Sequence, residues 1–189
     1  MARHEAPDAT ERRERSGWGW FALWLVAAVA VGLVVKTFVV TPYVVPTGSM
    51  RDTIMEGDVL LGERVSLYFG DPEVGDVVTF DSPLDGETLI KRVVAVGGQT
   101  IELVDGAVHV DGEPLDEPYV EGRPTYSLSD LPGSAGVTYP YVVPEGCVWV
   151  MGDNRTDSKD SRYFGAVSLD DVTSRALFIY WPLDHVGAL

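Results

Sequence analysis

The chain has 189 residues, a net charge of −15, one cysteine and three histidines. That length allows one membrane anchor plus one domain of about 150 residues. The lone Cys147 excludes an internal disulfide or a thiolate metal cluster, and the scattered His4, His109 and His185 suggest no metal site.

Residues 1–36 hold five Lys/Arg and four Asp/Glu, which leaves nine basic and 25 acidic side chains beyond them, a net −16. Such a domain repels a phosphate backbone, which argues against nucleic-acid binding. The acidity reads as solubility in a salty exterior.

In chain order, residues 1–16 alternate in charge without apolar periodicity and are expected to form a disordered cytoplasmic tail. Gly17 to Val35 then gives 19 uncharged residues, ended by Lys36. This is about the length that spans a hydrocarbon core. Trp18, Trp20 and Trp24 cluster at one end like an interfacial belt. A cleaved signal peptide has a shorter apolar stretch with small residues at the cut. A retained anchor over 17–40 is therefore expected. Arg3, Arg12, Arg13 and Arg15 precede the span, against only Lys36 and Arg51 within about 20 residues after it, so the positive-inside rule leaves the N-terminus in the cytoplasm.

Over 41–189 the pattern turns to short β-branched runs. Strands are expected at Asp58–Leu61, Asp76–Phe80, Leu89–Val96, Thr100–Val104, Ala107–Val110, Val148–Met151 and Ala176–Trp181. Asp85-Gly86, Asp105-Gly106 and Asp111-Gly112 are turn signals. Residues 113–146, rich in Pro and Gly, read as an irregular excursion. The expected fold is mainly β: a single N-terminal transmembrane helix followed by a coiled, barrel-like sheet.

Three stretches carry candidate chemistry. In Val44-Val45-Pro46-Thr47-Gly48-Ser49-Met50, Gly48 permits close backbone approach beside Ser49, and Pro46 stiffens the entry. A serine nucleophile needs a base. None of the histidines suits: His4 is cytoplasmic, His109 sits in a hairpin strand, and His185 lies in a tail with no obvious partner. In Leu89-Ile90-Lys91-Arg92-Val93, both strand faces are otherwise apolar, so at least one cation meets partly buried surroundings. Burial lowers a lysine's pKa toward a neutral amine able to act as general base, whereas arginine stays protonated. Finally, Met151 to Gly165 is dense in paired charges, and such a loop could hold Ser158 or Ser161 against a buried lysine. It fails the EF-hand pattern at Arg155 and Ser158. Taken alone, each stretch also has a structural reading: a loop serine, a charge-protected edge strand, a solvated turn.

Together, in order, VPTGSM after an anchor, GDVLL, GDVVTF, IKRVVAVGG, MGDNRTDSKDSRYFGAV and FIYWPL resemble the bacterial type I signal peptidases, membrane-anchored Ser/Lys proteases. The resemblance covers about residues 18 to 183. It implies Ser49 as nucleophile, Lys91 as general base and Ser158 as the hydroxyl orienting its amine. The Ser49 N–H and Thr47 side chain would form the oxyanion hole, with Asp153, Arg92, Asp160 and Arg162 as supporting ion pairs. It implies no cofactor and no metal. The implied partners are signal peptides of exported preproteins, with small residues at the first and third positions before the cut, and membrane lipid; a monomer is expected. Arg51-Asp52, Leu89 and Gln99 depart from the usual pattern. Two alternatives remain at this point: another Ser/Lys processing peptidase, for pilins or conjugation factors, and an inactive envelope relative that only binds exported chains.

Overall fold

The structure, a computed structural model, describes the backbone of residues 9–189, with side chains at 18–36 and 39–189. The chain divides after Val39 into two units. The first contains one helix, α1 (Ala9–Phe38). Its stretch from Trp18 to Lys36 has a mean hydropathy of 2.2, and every side chain there is exposed. A helix apolar on all sides and unburied is long and apolar enough to cross a membrane.

The helix begins well before the apolar run, so the expected disordered tail is helical from Ala9, and residues 1–8 lie outside the described residues. Local sequence accounts for this: ATERRERS contains good helix formers.

The second unit, from Val40 to Leu189, is mainly β, as expected. Its strands are β1 (Val40–Val44), β2 (Val59–Glu63), β3 (Val77–Asp81), β4 (Thr88–Val96), β5 (Thr100–Val104), β6 (Ala107–Val110), β7 (Glu113–Pro114), β8 (Tyr141–Val142), β9 (Cys147–Met151), β10 (Val167–Ser168), β11 (Val172–Trp181) and β12 (Gly187–Ala188). The larger sheet runs β1-β2-β11-β3-β4-β9-β10, with β12 on β11; the smaller runs β7-β6-β5-β8. All pairings are antiparallel. Irregularities in β11, and one between Val93 and Ala95 of β4, bend the larger sheet.

Each expected strand is present. The β5–β6 hairpin turns through Asp105 (φ 51°) and Gly106 (φ 82°), the left-handed pair that a two-residue turn demands. β1 was not among the expected strands, because it follows the apolar run directly. It tolerates Pro42 because it lies at a sheet edge, where a missing N–H costs little. Residues 113–146 are irregular apart from β7, β8 and one 3₁₀ turn at Pro118–Val120.

Three buried clusters support the sheets. Val78, Phe80, Val93, Val150 and Phe164 form one; Val94, Ala95, Ile101 and Trp149 anchor the second. Val45, Met50, Ile54, Leu60 and Ile179 form the third. The third places the turn that carries Ser49.

Candidate active site

Gly48–Met50 forms a single 3₁₀ turn entered from Thr47 in extended conformation. Met50 and Ile54 are buried in the third cluster, so the turn is nailed to the core on either side of its tip. Ser49, half-buried between buried Gly48 and Met50, is held by the turn rather than by its own side chain. The turn is fastened from behind as well. Asn154 donates its side-chain amide to the Gly48 carbonyl at 3.0 Å and its backbone N–H to the Ser49 carbonyl at 3.1 Å. This approach needs Gly152: a Cβ there would fall 2.4 Å from the Ser49 oxygen and 2.3 Å from Ser158 Oγ.

Lys91 comes from the middle of β4, opposite Val78 of β3, and Arg92 stands opposite Val77. Both cations are buried, at 2% and 7% exposure. Lys91 Nζ lies 2.7 Å from Ser49 Oγ and 2.9 Å from the Ile90 carbonyl. Burial penalises its ammonium form and lowers the pKa to about 8, while the charges of Asp160 and Asp153 pull the other way. Arg92 donates twice to Asp153, at 3.0 and 2.7 Å, once to the Gly75 carbonyl, and stacks 4.2 Å over Tyr119.

The polar loop from Met151 to Gly165 is pinned, not solvated. Asp160 is fully buried; desolvation pushes its carboxyl up, but two bonds from Arg162 and one from the Gly152 N–H outweigh this and hold it below the usual range. Arg155 joins the loop to the excursion through Glu117 and Thr125. Ser161, the other hydroxyl considered against the lysine, accepts instead from the Val150 N–H.

One expected contact has no counterpart. Ser158 Oγ is shielded from solvent and makes no hydrogen bond of good geometry among the described residues, to Lys91 or any other group, although it lies close enough to Asp160 to help hold that carboxyl low. The Thr47 side chain, exposed at the start of the turn, makes no capping bond. His185 does have a partner, contrary to the sequence reading: its Nδ1 lies 2.8 Å from Asp58, whose carboxylate also accepts the Met55 N–H. His109 faces the Gly112 carbonyl. Neither bonds to Ser49.

Arg51 and Asp52, unexplained by sequence, have local partners. The Arg51 guanidinium packs on Gly48 and pairs with Glu56 at 3.2 Å. Asp52, at a left-handed φ of 77°, pairs with Arg123 of the excursion. Gln99 accepts from the Val96 N–H, and Leu89 packs on the first cluster. Asn154 and Gly152 carry positions that sequence reasoning did not assign; their one signal was membership of the dense polar stretch after β9, whereas Arg155 was already expected among the charges that pin the loop.

A cavity of about 170 Å³ opens at the Ser49–Lys91 pair, walled by Val45, Met50, Leu89 and Ile90. Larger cavities of about 360 and 570 Å³ lie around Asp71, Pro72 and Leu169 and contain neither residue of the pair. Size therefore does not mark the chemistry here; the buried amine does.

Residues 18–181 match the family described as signal peptidase, peptidase S26. The "Probable signal peptidase I-1" of Synechocystis sp. is 38% identical over 173 residues, covering 87% of this chain and 83% of that protein. Signal peptidase I of Mycobacterium tuberculosis is 33% identical over 231 aligned positions, with 96% and 79% covered. Signal peptidase I of Bacillus caldolyticus is 32% identical over 185, with 92% and 95% covered.

Proposed function

We propose, from the premise that this chain belongs to the peptidase S26 family of signal peptidases, that Ser49 is its nucleophile and Lys91 its general base. The chain is a serine endopeptidase that cuts signal peptides from exported preproteins. The observation that carries the site reading is the 2.7 Å contact between Ser49 Oγ and a desolvated amine, with no histidine among the described residues bonded to the serine.

Neutral Lys91 takes the Ser49 proton as Oγ attacks the scissile carbonyl carbon. The oxyanion faces the Ser49 N–H and the Thr47 hydroxyl, a kind of interaction worth about 2.7–4 kcal/mol per donor. Collapse breaks the C–N bond, and the Lys91 ammonium returns the proton to the leaving amine. Lys91 then deprotonates a water, which hydrolyses the Ser49 ester and frees the signal-peptide carboxylate. Ser158, whose shielded hydroxyl lies beside Asp160 without a hydrogen bond of good geometry, is the group available to orient the amine. Asp153–Arg92 and Asp160–Arg162 hold the surrounding loop.

Two backbone edges border the cavity. β1 ends the larger sheet, and β4 pairs with β9 only from Arg92 onward, leaving Thr88–Lys91 free on that side. An extended substrate fits between them by strand addition, with small residues at the first and third positions before the cut facing the shallow apolar walls.

The helical apolar stretch supports membrane anchoring. The excess of arginine before it supports a cytoplasmic N-terminus and an extracytoplasmic catalytic domain, and the single helix of this kind among the described residues supports one pass. Lipid is accordingly a partner, and the acidity of the domain opposes nucleic acid. One chain carries the whole pair, so a monomer suffices. Pilin or conjugation-factor processing and a binding-only envelope role are not favoured, since the relatives across most of the chain are signal peptidases.

The test is incubation of detergent-solubilised protein with a preprotein bearing an Ala-x-Ala site, followed by mapping of the new N-terminus. One cut directly after the second Ala is expected, and none with Ser49→Ala. Full cleavage by Ser49→Ala would sink the assignment.

A further inference from the structure

The cavity walls are apolar or hydroxyl-bearing except at two charged residues: Lys91 at the catalytic end, and Glu87, four positions earlier in the same segment. The Ser82 N–H donates to the Glu87 carbonyl at 2.8 Å, which extends the β3–β4 ladder one residue beyond Thr88. Period-two alternation then gives Glu87 the same phase as Leu89 and Lys91. The Glu87 carboxylate is exposed and takes part in no ion pair or side-chain hydrogen bond among the described residues, although Thr88 beside it reaches toward Asp81. It is therefore an uncompensated negative charge on the wall of the substrate cleft.

A strand rises about 3.3 Å per residue, which puts Glu87 about 13 Å from the catalytic amine along β4. An extended substrate paired with the free edge of Thr88–Lys91 advances at the same rate. We infer that Glu87 is a specificity-determining residue that reads the charge of the substrate residue four or five positions before the cut, favouring Lys or Arg there and rejecting Asp or Glu. This rests on the proposed reading of the site, in which the apolar walls take the signal-peptide side of the bond.

The discriminating experiment uses the full chain in detergent and a set of peptides sharing one Ala-x-Ala site. Each peptide carries a single Lys, Gln or Glu at position two, four, five or six before the cut. The readout is the ratio of kcat/KM for Lys over Glu at each position, so a general loss of activity in a variant cancels. The wild type is expected to show a ratio of about five to ten at the fourth or fifth position and near one elsewhere, as an exposed pair a few Å apart provides. Raising salt to about 1 M, where the Debye length is about 3 Å, should bring the ratio toward one. Glu87→Gln should abolish the preference and Glu87→Lys should invert it. A wild-type ratio of one at every position, or one unchanged in Glu87→Gln, overturns the inference while leaving the dyad intact. No cleavage of the Gln peptides overturns the site reading and this inference with it.

Discussion

Two neighbouring patches of buried positive charge receive opposite treatment. Around Lys91 the chain supplies a serine hydroxyl and a carbonyl, but no carboxylate among the described residues within hydrogen-bonding distance. Around Arg92, Arg155 and Arg162 it supplies Asp153, Glu117 and Asp160, each in direct contact. The arginines are compensated and inert, and they hold the loop behind the nucleophile. The lysine is left uncompensated, so burial drives it toward the neutral form. Adjacent residues on one strand thus differ in chemistry because one has a carboxylate and the other does not.

The contrast is broken most severely by Lys91→Met. Processing should fall at least about a thousand-fold, as for removal of other catalytic bases, while urea denaturation shows a domain as stable as the parent or more so. Full activity would refute the base assignment. Arg92→Met should do the reverse to the fold. It strands Asp153, and breaking a buried pair costs about 3–5 kcal/mol, visible as a lower denaturation midpoint. An unchanged midpoint would show that the pair is not compensating.

Thr47→Val keeps the shape and removes one hydroxyl donor, so kcat should drop about a hundred-fold with KM little changed. An effect confined to KM would move Thr47 out of the oxyanion site. The pH dependence sharpens the same contrast. With the Lys91 pKa lowered to about 8, kcat/KM should fall about tenfold per unit below pH 8 and level off above it. A flat profile through neutrality would exclude a lysine base. The linked stability has a defined sign. The folded pKa lies below the unfolded value of about 10.5, so the unfolded chain binds more protons between the two. The cost of burying the amine is therefore fully present below pH 8, shrinks as pH rises and is gone above about 10.5. The smallest effect is expected at Asp52→Asn, which loses a partly exposed pair with Arg123 and should cost less than about 1 kcal/mol.

Much of the framework was legible because its signals are local. β5 and β6 were read to the residue because Asp105-Gly106 must turn there, and Lys91 and Arg92 stood out as two cations in an otherwise apolar strand. What escaped depends on distant partners. Asn154 reaches across 106 positions to Gly48, and His185 across 127 to Asp58. No spacing rule connects them, and an asparagine among so many polar neighbours carries no mark of its role. β1 escaped for a different reason: its apolar residues continue the preceding run, and only the pairing with β2 separates strand from anchor.

The β3–β4 hairpin sets the register that places Lys91 opposite Val78, across a loop, residues 83–86, that is exposed and otherwise looks free to vary. A single-residue deletion or insertion in residues 83–86 that slipped β4 by one step would bring Arg92 or Ile90 to that position. One is permanently protonated and the other has no nitrogen to accept a proton. The length of this loop is therefore under much stricter evolutionary constraint than its composition: substitutions should accumulate there while insertions and deletions are purged.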